Sequence, residues 1–127
     1  MCGDADGGLY VLDPLKNTND GDVLVRDRIT PHQAASSLVR QRIGSMQIEC
    51  GIGQGIALGA EASLMLRYSN DGGRTWEGWR TLTLGRIGEY KARARATMLG
   101  SARDRVWQIR VTDDVSCDLL SAVFNEV

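Results

Sequence analysis

Apolar and polar residues alternate with a period of two through most of this chain, and clusters of Gly, Asp and Asn interrupt the alternation at short intervals. The alternation covers residues 23–30 (VLVRDRIT), 38–50, 63–68, 80–84, 105–112 and 119–124. Successive side chains of an extended chain point to opposite faces, so a period of two marks a strand with one face buried. Turn signals fall between these runs at residues 19–21 (NDG), 51–55, 71–73 (DGG), 85–88, 100–101 and 113–114. About seven short strands at such spacing predict an all-β fold, either an antiparallel β-sandwich or a barrel-like module. The one Ala-rich helix candidate, residues 55–62, is too short and too glycine-flanked to be more than a turn.

The 127 residues are enough for one domain with a real core and too few for two. No apolar run approaches the roughly 20 residues needed to cross a bilayer, and the first residues lack a basic and then apolar leader. The expectation is a chain made and folded in the cytosol, with no membrane contact. Three cysteines, Cys2, Cys50 and Cys117, and the single His32 are too few and too scattered for a metal cluster, so no metal and no cofactor are expected. Free thiols are expected, with Cys50 and Cys117 packed as small hydrophobes. The glycines of residues 51–55 lack a following Gly-Lys-Ser/Thr, so they predict a hairpin loop rather than a phosphate cradle.

Residues 1–20 differ from the rest. A short strand with an aromatic residue, residues 8–12, lies between glycines and Asp13-Pro14, and a polar loop then leads to Gly21. Such a strand needs a neighbouring sheet. The division expected is residues 1–20 as a separate strand and linker, either paired within this domain or the severed last piece of an upstream repeat domain, and 21–127 as the all-β domain. Charge is also uneven: the first 35 residues are rich in Asp, whereas residues 74–110 are rich in Arg.

Residues 69–76, SNDGGRTW, form a compact turn signal. Asp71 offers a carboxylate to backbone N–H groups across a turn, Gly72 or Gly73 supplies positive φ, and Thr75 and Trp76 begin the return strand with the indole covering the hairpin. Each fixed position has a structural task that needs no substrate. Glycoside cleavage requires a pair of facing carboxylates or a Tyr–Glu pair, and no spacing here singles one out. No catalytic residue is assigned, and the chain is expected not to be an enzyme.

Residues 88–99, GEYKARARATML, place Lys91, Arg93 and Arg95 on one face of a strand and Ala92, Ala94 and Ala96 on the other. The cations fall about 6.5 to 7 Å apart. With Arg103 and Arg105 they make a candidate contact for an acidic partner surface or for phosphate, since guanidinium pairs bidentately with both. The alternative is a solvated face.

The Ser69–Trp76 octet resembles the Asp-box, or bacterial neuraminidase repeat, in which the residues matching Ser69, Asp71, Gly73, Thr75 and Trp76 staple a β-hairpin away from the catalytic face. The order GDADGGLYVLDP, VLVRDRITPH, LMLRYSNDGGRTW and then WRTLTLGRIGEYKARARATMLGSARDRVWQIRVTDDV resembles the C-terminal part of the packaged-DNA stabilisation proteins of short-tailed bacteriophages. That resemblance implies a non-enzymatic tail accessory or head-completion component of the virion. Such a component forms a homo-oligomeric ring, meets portal and tail proteins, helps close the DNA exit channel, and touches DNA non-specifically if at all. It also implies that residues 1–20 are the closing strand of an upstream β-propeller blade, with this chain a fragment or a reduced version. Two departures stand out: small Ala92, Ala94 and Ala96 replace bulky residues, so the packing behind the row is expected to be looser or completed by another subunit; and the tail SCDLLSAVFNEV runs on as a last strand or an interface. The competing expectation is a carbohydrate-binding or sialidase-like module that uses surface aromatics such as Trp79.

Overall fold

The computed structural model describes residues 2, 3, 5–13, 16, 18–34, 39–52, 61–86, 92–113 and 117–125. Within them the chain is all β. Four short strands come first, β1 (Cys2–Gly3), β2 (Leu9–Tyr10), β3 (Thr18–Asn19) and β4 (Asp22–Val23). Then follow β5 (Arg26–Ile29), β6 (Gln33–Ala34), β7 (Gln41–Arg42), β8 (Ser45–Ile52) and β9 (Glu61–Ser69). The last are β10 (Arg80–Arg86), β11 (Ala92–Thr97), β12 (Ser101–Ala102), β13 (Asp104–Val111) and β14 (Cys117–Phe124).

Two antiparallel sheets enclose the core. The first has the order β10-β9-β13-β5, with β6 on the other end of β13, and the second has the order β11-β8-β14. Alternation explains which faces meet. Ala62, Leu64 and Leu66 of β9, Leu84 of β10 and Trp107, Ile109 and Val111 of β13 point in from the first sheet. Met46, Ile48 and Cys50 of β8 and Ala94 and Ala96 of β11 point in from the second. Each large aliphatic side chain so buried contributes about 1.5–3 kcal/mol relative to leaving it in water. Trp107 sits at the junction, edge-on to Tyr68 at 5.5 Å and tilted against Phe124 of β14 at 5.6 Å. Its indole N–H donates to Gln33 Oε1 at 2.9 Å, which supplies the partner a buried Trp requires.

Several expectations need correction. The run 38–50 is not one strand: β7 and β8 are separated at Ile43 and Gly44, because Ile43 N–H donates to Gly100 O (2.8 Å) and Gly44 O accepts from Met98 N–H (3.0 Å). Seven strands of four or more residues are present, in keeping with the expected number, and seven two-residue strands accompany them among the described residues. The alanine face is not left for another subunit to complete, since Ala94 and Ala96 are 1% and 3% exposed against this chain's own core. Their small size lets β11 approach β10 of the opposite sheet. The tail residues 117–124 do form a last strand, β14, on β8, with a bulge between Leu119 and Ser121. The expected loop at 51–55 begins later, since Gly51 and Ile52 belong to β8, and Gly85 and Arg86 of the expected turn at 85–88 belong to β10; residues 53–55, most of the 55–62 candidate and residues 87 and 88 lie outside the described residues.

The N-terminal ladders stand apart from this packing. β3 and β4 make a hairpin across Asp20 (φ 50°) and Gly21 (φ 88°), the left-handed pair that a two-residue loop demands. None of the described residues before Ile43 joins the buried apolar cluster, and Leu9, Val11 and Leu12 are 75–78% exposed.

Candidate functional site

The Ser69–Trp76 octet is held by its own side chains. Ser69 is fully buried; its hydroxyl donates to Asp71 Oδ1 at 2.6 Å and accepts from Gly73 N–H at 2.9 Å. Asp71 accepts from Thr75 N–H at 2.9 Å and from the Thr75 hydroxyl. These bonds hold the Asp71 carboxyl far below the usual carboxylate range, with the Ser69 hydroxyl the largest cause and Thr75 next. Gly72 has φ 75°, and a Cβ there would come within 3.1 Å of His32 Cε1, so glycine answers both the conformation and the approach. His32 in turn hydrogen-bonds Asp104 Oδ2 through Nδ1 at 2.7 Å.

The return strand does not begin at Thr75. Residues 76–79 stay irregular and β10 starts at Arg80, because the two indoles are laid over the outer face of the first sheet. The Arg67 guanidinium lies 4.8 Å from the Trp76 ring centre and 4.3 Å from that of Trp79, and Arg110 lies 4.8 Å from Trp79. Arg67 also donates to Gln108 Oε1 at 2.7 Å, and Arg110 makes a two-pronged bond to Asp27 at 2.7 and 2.9 Å. The Trp79 ring, a sugar platform in the competing carbohydrate-binding reading, is engaged by two guanidiniums of its own chain.

Arg105 departs most from expectation. It is 2% exposed and does not share a surface with Arg93 and Arg95. Residues 105, 107, 109 and 111 of β13 share the inner face, and Arg105 occupies that face's outer end. Its guanidinium lies 4.0 Å from the Tyr68 ring centre and 5.3 Å from that of Trp107. Nε donates to Asn70 Oδ1 at 2.9 Å and Nη1 to Leu99 O at 2.6 Å. Desolvation lowers its pKa from the ordinary guanidinium value, while the charges of Tyr68 and Glu77 act in the opposite sense. Arg80 donates to the two preceding carbonyls, Thr97 O at 2.7 Å and Met98 O at 3.1 Å. Two arginines thus grip three consecutive carbonyls where the basic strand ends.

Arg93 and Arg95 do present one outer face of β11 and are exposed. Their register partners on β8 are Glu49 and Gln47. Arg103 is exposed in the turn between β12 and β13, and Lys91 lies outside the described residues. Of the four described cations, the structure brings together Arg93 and Arg95. Cys50 and Cys117 are free thiols on neighbouring strands that hydrogen-bond each other. That bond, with burial, raises Cys50 well above the usual thiol range, while donation from Cys50 lowers Cys117. His32 pairs with Asp104. Among the described residues no group of three or more His, Cys, Asp and Glu could hold a metal. Gln33, Arg42, Arg67 and Asn125 were not singled out in the sequence, although each makes a specific long-range bond or lines a cavity.

Two facing antiparallel sheets with a side-chain-stapled hairpin over the outer face define an all-β sandwich of a structural kind. Residues 26–124 match the family described as the beta-sandwich of bacteriophage P22 Gp10, and the chain belongs to that family. Membership places it among the structural proteins of bacteriophage particles. The match begins at the first residue of β5 and ends at the last of β14, so it covers both sheets and leaves out the N-terminal ladders. No curated protein matches the chain.

Proposed function

We propose that this chain is a non-enzymatic component of the phage head-to-tail junction that helps close the portal and retain packaged DNA. It acts by assembling into a ring and by contacts with portal and tail proteins. The family match over both sheets is the observation that carries this reading. Two features support it. The exposed Arg93–Arg95 face is built on a strand whose other face is locked into the core, so the cations are held in fixed register for a partner's carboxylates or for DNA phosphates. The exposed Leu9, Val11 and Leu12 suit a segment that completes a sheet outside this sandwich, as a closing propeller strand would.

The test is reconstitution. Phage heads packed with DNA but lacking this gene product should lose their DNA on dilution, and adding the purified protein should restore retention and the stable tail junction. The protein should co-sediment with filled heads as a multiple of the single chain. Failure to bind heads, or binding without any effect on DNA retention, would sink the proposal.

A further inference from the structure

An open cavity of about 330 Å³ lies where β6, β7, β13 and the end of β14 meet. Gln33, Gln41, Arg42 and Arg105 line it, and Ile43 and Phe124 supply an apolar side. Two of the side-chain acceptors around it are already used. Gln33 Oε1 takes the Trp107 indole N–H at 2.9 Å, and Asn125 Oδ1, also on the wall, takes Gly44 N–H at 2.7 Å. Beside the Gln41 amide, which offers both an acceptor and a donor, what remains is a set of donors: the Gln33 amide nitrogen, the Arg42 guanidinium, and Arg105 Nη2, which makes no hydrogen bond among the described residues once Nε and Nη1 are engaged. No carboxylate is among the described lining residues.

Arg105 makes the case specific. A guanidinium this deeply buried normally meets a counter-charge, because a cation held by neutral partners alone has lost hydration without a full return. Here its hydrogen-bond partners are an amide oxygen and a main-chain carbonyl, and the Glu77 carboxylate acts on it only through space, without a hydrogen bond or close ion pair among the described residues. We propose that the cavity binds a carboxylate carried on a short aliphatic stem, the chemistry that a partner's glutamate side chain and a free dicarboxylic acid share. The carboxylate would meet Arg105 Nη2 and Arg42, the Gln33 amide would donate to the same oxygens, and the stem would lie on Phe124 and Ile43.

The full chain, isotope-labelled, would be titrated with glutarate at neutral pH. Amide resonances of Ala102, Ile43 and Phe124 should shift with a Kd of about 1 mM, and Arg42→Gln should weaken binding about tenfold, the loss expected for one charge-assisted hydrogen bond. Arg42 holds no element of the core, so that variant stays folded even where Arg105→Gln does not. Inorganic phosphate, which has the charge but no stem, should bind about tenfold more weakly. Absence of shifts at the cavity, unchanged affinity in Arg42→Gln, or phosphate binding as tightly as glutarate would each overturn the proposal. A capped glutamate amide separates the sources. Binding equal to glutarate points to a partner's side chain, and much weaker binding points to a free diacid; both uphold the carboxylate.

Discussion

The two sheets use arginine in opposite ways. In the first sheet, Arg67, Arg80, Arg105 and Arg110 are taken up by rings, carbonyls, two amides and one carboxylate of the same chain. In the second, Arg93 and Arg95 stand exposed on a strand whose other face is alanine and buried. Arginine content therefore says little about function until each guanidinium's partners are known. The first set holds the sandwich together, and the second is exposed.

The strongest way to break this contrast is at Arg105. Arg105→Ala leaves Leu99 O without its donor and removes the cation from between Tyr68 and Trp107, so it should cost about 2–4 kcal/mol in urea unfolding. A loss below about 0.5 kcal/mol, the range of ordinary surface substitutions, would make Arg105 equivalent to the exposed pair. Next comes the alanine face. Ala94→Leu inserts a branched side chain where β11 meets the core at 1% exposure, and should cost about 1–3 kcal/mol by overpacking. A neutral or stabilising result would show that the space behind the row is open.

The stapled hairpin sharpens the contrast by pH. The folded Asp71 carboxyl lies below its ordinary value of 3.8, so its contribution is fully present above that value and is lost as pH falls through the folded pKa. Asp71→Asn should therefore lower the thermal midpoint at neutral pH, and the gap to the parent should narrow steadily in acid. A gap that stays constant with pH would show that the carboxylate's charge is not what holds Thr75 and Ser69.

The sheet character of the chain was legible because one face of each strand is buried, which writes a period of two into residues such as Ala62, Leu64 and Leu66. The turn chemistry at Asp20-Gly21 and Gly72-Gly73 was legible too, since positive φ restricts residue choice locally. Strand breaks were not. The gap at Ile43–Gly44 is set by bonds from Gly100, Met98 and Asn125, all more than 50 positions away in the chain. Arg105 was misplaced for a different reason. Its parity with Trp107, Ile109 and Val111 puts it on the inner face, but its charge argues for the surface, and here geometry outweighs charge because carbonyl, amide and ring partners are waiting. The donor-rich cavity was invisible, since its residues come from five separated strands, β6, β7, β12, β13 and β14.

The smallest expected effect on stability belongs to the exposed pair, and it carries the functional half of the contrast. Replacing Arg93 and Arg95 together by Ala should change unfolding free energy by no more than about 0.5 kcal/mol, because neither guanidinium touches the core. If the face meets DNA, binding of the parent to any duplex should weaken steeply with salt, and the double variant should lose a slope of about 2 in log affinity against log salt. If it meets an acidic protein surface instead, duplex binding should be weak in both proteins, and the variant should lose retention of packaged DNA by failing to join the filled head. Full retention by a normally folded double variant would leave the pair as a solvated face, with Glu49 opposite Arg93 as its nearest counter-charge along the ladder. That outcome would move the search for the partner surface to the apolar side chains of the other edge strand, Leu119, Leu120 and Val123 of β14, which are 41–56% exposed.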